Sequence, residues 1–181
     1  FTIISCAASI VRAGAVPVVV DSDPVTWNMT ADAIEAAITP HTKAIMAVHI
    51  YGHPCDMDPI LALAAAHNLY VIEDAAEMHG QTYRGRPCGS FGDISTFSFY
   101  PNKHITTGEG GMLVTNDAHI AERCRGARNL FFNNQQRFVH VELGWNMRMT
   151  NMQAAIGLAQ IEQIDTFVAR KRHMGRRYTE L

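Results

Sequence analysis

A chain of 181 residues with 48% hydrophobic content is long enough for about one domain with a sizeable core. Its net charge of −2, with both signs interspersed, excludes the basic footprint that nucleic acid or an anionic membrane surface selects. Apolar runs far shorter than a bilayer span, no signal-peptide order at the N-terminus, and scattered Cys6, Cys55, Cys88 and Cys124 point to a cytoplasmic protein with reduced thiols.

In chain order, residues 3–13 suit a helix that stops near Gly14, and VPVVVD reads as a short buried strand ending in Asp21. Thr30 is placed to cap a helix over ADAIEAAI, with Asp32 in its first turn and Pro40 beyond its end. KAIMAVHIYG gives a strand and loop, DPILALAAAHN a short amphipathic helix, and LYVIED a second apolar strand ending in acid. GDISTFSFY and GGMLVTN are two further strands, Asp117 starts a helix running toward Arg128, and the residues from about 150 onward read as one long helix. Strands alternating with helices predict an α/β domain with a largely parallel sheet, in which ligands bind at the carboxyl ends of the strands. That rule draws Asp74, Ser98 and Lys103 toward one crevice. The chain opens without methionine inside an apolar run and closes within a helical pattern, so it reads as the interior of a longer protein.

The segment FSFYPNKHITTGEGGM carries the first candidate chemistry. Alternation sets Phe97 and Phe99 on one strand face and Thr96, Ser98 and Tyr100 on the other. Ser98 either bonds locally to backbone or points at a ligand. Lys103 follows where Pro101 ends the strand; it is a solvated loop lysine, a phosphate clamp or a covalent anchor. The glycines either admit a ligand close to backbone amides or make a tight turn, and TTGEGG lacks the order of a nucleotide P-loop. In VIEDAAEMHG, Asp74 is either a helix cap or an acid that holds a ligand cation. His49, His53 and Cys55 lie across a turn rather than on one helix face, which argues against shared metal coordination. Asn146 and Arg148 precede a helix that Thr150 can cap; they are packing residues or donors offered to an anion or another subunit.

Five segments then carry a resemblance. GAVPVVVDSDPVTWNM, KAIMAVHIYGHPCDMDPI, LYVIEDAAEMHG, GSFGDISTFSFYPNKHITTGEGGMLVTND and LGWNMRMTNMQAAIGLAQIE follow the order and spacing of the DegT/DnrJ/StrS aminotransferases. The chain resembles that family over essentially its whole length, and most resembles the members that aminate C4 of a GDP-linked 4-keto-6-deoxy sugar. The resemblance implies a three-layer fold type I large domain with a mostly parallel central sheet, truncated at both ends. Residues 1–181 would be part of that large domain, with 150–181 leading toward a C-terminal small domain outside the chain. It implies pyridoxal 5′-phosphate (PLP) as cofactor, a nucleotide keto-sugar and glutamate as substrates, and a homodimer with a shared active site.

The resemblance also assigns residues. Lys103 matches the lysine that bonds PLP covalently, Asp74 the carboxylate that pairs with its ring nitrogen, and Glu77 a position beside the ring. Ser98 matches a phosphate-binding hydroxyl, and Asn146 an asparagine reaching the phosphate from the neighbouring subunit. Ile3 stands where many members place an aromatic ring against the cofactor. The family's upstream Gly-Thr phosphate-binding segment is expected outside this chain. Relatives with histidine at the lysine position are PLP-dependent sugar dehydratases; the register from Ser98 puts Lys103, not His104, there. A catalytically silent binding or regulatory protein on the same fold is the alternative from a different class.

Overall fold

The computed structural model describes residues 1–132, 136 and 138–181, in two units, Phe1–Phe97 and Ser98–Leu181. The first unit begins with α1 (Ile4–Arg12), which stops before Gly14 at φ +78°, and continues to α2 (Ala31–Ala37). As the sequence predicts, Thr30 caps α2 by accepting from the Ala33 amide at 3.3 Å. Strand β1 (Ala44–Val48) leads to α3 (Met57–Ala66), and β2 (Tyr70–Asp74) follows. A small hairpin, β3 (Thr82–Tyr83) and β4 (Arg86–Pro87), turns through Arg84 and Gly85, both at positive φ.

The backbone then enters β5 (Ile94–Ser98), whose last residue opens the second unit. β1 pairs with β2, and β2 with β5, all parallel. The register sets Val48 beside Asp74 and Asp74 beside Thr96, so these strand ends finish level. Alternation turns Ile45 and Ala47 of β1, and Val71 of β2, toward a core completed by Ile34, Met57, Ile60 and Ala64. Each large apolar side chain buried there contributes about 1.5–3 kcal/mol.

In the second unit, β6 (Gly111–Val114) precedes α4 (Ala118–Arg128), capped by Asp117, which accepts from the His119 and Ile120 amides. α5 (Asn151–Ile161) starts with a capping box between Thr150 and Gln153, and α6 (Ile164–Glu180) follows. Among the described residues no helix is long and apolar enough to cross a membrane.

Two expected elements differ. Residues 16–21 form no strand: they make no ladder among the described residues, and Val16, Val18 and Val19 stay exposed. Apolar β-branched composition favours a strand, but a strand exists only when a neighbour takes its hydrogen bonds. The single long helix from residue 150 is instead two helices. Gln163, at φ −112° and ψ 11°, leaves helical geometry between them without any glycine or proline to announce it.

Candidate functional site

The residues at the ends of β2 and β5 divide by face. On one face, Asp74 is half-buried and held by three donors. The Cys6 thiol donates to its Oδ2 at 3.2 Å, the Ala76 amide to Oδ1 at 3.1 Å, and Thr96 Oγ1 to Oδ1 at 3.5 Å. A turn, not a helix, follows Asp74, so the alternative of a helix cap is set aside. All three donors are neutral, which leaves the carboxylate's charge available to a cationic ligand such as a protonated ring nitrogen.

The opposite face of the same strand carries the residue that sequence reasoning missed. Glu73 shares the inward face with Val71 and is fully buried (0% exposed). Its Oε1 accepts from His49 Nε2 at 3.0 Å and from the Gly89 amide; its Oε2 accepts from the Phe91 and Gly92 amides and from Ser95 Oγ at 2.9, 3.2 and 3.1 Å. Burial opposes its ionisation, but the His49 bond and the backbone amides outweigh burial and hold its pKa at about 2. His49 Nδ1 accepts from the Cys55 amide at 3.0 Å, so the ring proton sits on Nε2 and the imidazole is neutral. The Gly89–Gly92 turn is therefore a nest for a side chain of the protein itself. At Gly92 a Cβ would lie 2.7 Å from the Val71 carbonyl oxygen, which is why glycine stands there. The signal was present in VIED: strict alternation sets Glu73 on the face of Val71.

Glu77 accepts from the Tyr51 amide at 2.7 Å and so fixes the turn after β1, where Tyr51 has φ +50°. Ile3 is the exposed N-cap of α1.

In the second unit, Ser98 Oγ accepts from the Tyr100 amide at 3.3 Å, the local role open to it from sequence. Lys103 is half-buried and closes a turn, its amide donating to the Tyr100 carbonyl at 3.0 Å. The loop beyond it is extensively hydrogen-bonded. Thr106 Oγ1 and the Thr107 amide donate to the Phe99 carbonyl at 2.9 and 3.0 Å, and the Phe99 amide donates to the Gly110 carbonyl at 2.9 Å. From α5, Gln160 grips Thr106 on both sides, accepting from its amide at 3.1 Å and donating to its carbonyl at 2.6 Å. Gln153 Nε2 donates to the Glu109 carbonyl at 3.0 Å. Gly108 and Gly110 have φ +79° and +148°, so they shape this turn. Asn146 is exposed and accepts from Arg148 Nε at 2.9 Å.

The chain matches the model of the DegT/DnrJ/EryC1/StrS aminotransferase family over residues 1–181. The chain belongs to that family, whose members are PLP-dependent. GDP-perosamine synthase of Caulobacter vibrioides is 55% identical over 175 residues, covering 96% of this chain and 47% of that protein. GDP-perosamine synthase of Escherichia coli O157:H7 is 53% identical over 173 residues, covering 96% and 48%. The crystal structure of a DegT/DnrJ/EryC1/StrS aminotransferase from Brucella abortus superposes with a TM-score of 0.92 at 34% identity, covering 99% of this chain and 50% of that one. The chain thus spans about half the length of the curated relatives it matches, and its fold is that of the fold type I PLP aminotransferases.

Proposed function

We propose that the full-length protein containing this chain is a PLP-dependent aminotransferase that converts a nucleotide-linked 4-keto-6-deoxy sugar to the amino sugar, with glutamate as amino donor. The observation that supports this most is the 53–55% identity to two GDP-perosamine synthases over 96% of the chain. GDP is accordingly the nucleotide we favour. Residues 1–181 are part of the large domain, and the enzyme works in the cytoplasm as a homodimer, making an amino sugar for a surface polysaccharide such as O-antigen.

Bound PLP supplies the electron sink that amino-group transfer requires. Lys103 Nζ would hold it and would carry protons to and from the substrate. The Asp74 carboxylate would pair with the ring nitrogen and favour its protonated form. Glu77 would stand beside the ring, and its bond to the Tyr51 amide fixes the neighbouring turn. Ser98 would donate a hydrogen bond from its hydroxyl to the cofactor phosphate, and Asn146 would reach the phosphate of the partner subunit's site.

Full-length protein incubated with glutamate and a panel of nucleotide keto-sugars should give a product whose mass shows oxygen replaced by an amine. Lys103→Ala should remove the absorbance band of the lysine-bound cofactor. Retention of that band would refute the lysine assignment, and no glutamate-dependent conversion of PLP to its amine form would refute the aminotransferase reading.

A further inference from the structure

Asp74 is an acid whose orientation matters: a carboxylate can pair with a ring nitrogen only if one oxygen is aimed along the ring plane. The Ala76 amide and Thr96 hydroxyl both reach Oδ1, and among the described residues Cys6 alone reaches Oδ2. Cys6 lies on α1, is 8% exposed, and is 68 residues distant in sequence. Its thiol has one proton, which goes to Asp74. The contact of 3.3 Å between Thr2 Oγ1 and Cys6 Sγ is therefore made by the threonine hydroxyl as donor, giving a chain from Thr2 through Cys6 to Asp74. Burial first, and then the neighbouring Asp74, push the Cys6 thiol up to about 11, against the opposing bond from Thr2, so it remains a donor at neutral pH.

We infer that Cys6 is a positioning residue for Asp74: its thiol, backed by Thr2, fixes the carboxylate's rotation and thereby the acid's grip on the cofactor's ring nitrogen. This rests on the reading of Asp74 given above. It makes α1 part of the cofactor site through a side chain that touches no cofactor atom.

The test uses the full-length protein stripped of PLP and titrated back with it, following cofactor absorbance to obtain a dissociation constant. Cys6→Ala should weaken PLP about tenfold, and Cys6→Ser, which restores a donor, should return it to within about threefold of the parent. In an Asp74→Asn background the same Cys6→Ala change should alter affinity less than about twofold, because its target is gone. An unchanged constant in Cys6→Ala, or an undiminished loss in the Asp74→Asn background, overturns the inference while leaving Asp74 as the ring acid. Asp74→Asn binding PLP as the parent does would overturn the Asp74 reading and the inference with it. Cys6→Val, which fills the thiol's volume without a donor, replaces the alanine variant if the latter fails to fold.

Discussion

Replacing Glu73 by glutamine keeps the side chain's shape and changes only its charge and one acceptor. In either orientation the new NH2 group faces at least two buried donors: His49 Nε2 and the Gly89 amide, or the Phe91 and Gly92 amides. His49 cannot switch tautomer to accept, because its Nδ1 already accepts from the Cys55 amide. Each buried donor left unpaired costs about 1–3 kcal/mol, so Glu73→Gln should destabilise by about 2–6 kcal/mol. That is a large share of the 5–15 kcal/mol that typically separates folded from unfolded. The same carboxylate predicts a pH dependence. Its pKa falls from 4.5 to about 2 on folding, worth about 3 kcal/mol at 1.36 kcal/mol per pH unit. A depressed folded pKa means the stabilisation is complete above 4.5 and is lost as pH drops toward 2. Denaturant unfolding of the full-length protein from pH 7 down to pH 2, parent against Glu73→Gln, measures both effects. An unfolding free energy unchanged within about 1 kcal/mol at pH 7, or equal pH slopes in the two proteins, would refute the reasoning.

Gly92→Ala should destabilise by about 2 kcal/mol or more, since its Cβ meets the Val71 carbonyl at 2.7 Å; chemical denaturation checks it. Gln160→Leu removes both bonds to Thr106 and should raise amide exchange across residues 104–110, read by mass spectrometry, and equal protection would count against the clamp. Thiol alkylation under native conditions should mark Cys124 first. Burial pushes Cys6 and Cys88 up to about 11 and Cys55 up to about 12, so these three should react only on unfolding.

What could be read from sequence was what local chemistry determines. Asp117 and Thr150 announced their helices because capping needs only the next three residues. The strands around Asp74 were legible from their apolar runs. The break at Gln163 was not, because no residue there has a conformational preference strong enough to signal it. The stretch at 16–21 misled because composition records the tendency to be a strand and not the presence of a partner. Among the candidate residues, Asp74, Ser98 and Lys103 were singled out by residue type and position. Their supports were invisible, because Cys6 lies 68 residues from Asp74 and Gln160 lies 54 from Thr106. Glu73 was overlooked beside a more conspicuous acid, although alternation had placed it inward.

Two carboxylates on consecutive residues, facing opposite ways, make one peptide unit answerable to two different pressures. A change in the glycine turn at 89–92 would disturb Glu73, shift the end of β2, and so move Asp74 on the opposite face. In a screen scored on activity alone, such variants would be indistinguishable from lesions at Asp74. Scoring abundance beside activity would separate them: turn variants should lose both, whereas, on the proposed role of Asp74, its variants should keep a well-folded chain that no longer works. The core packed behind Glu73 is thus the first place to look for compensating substitutions when Asp74 is altered.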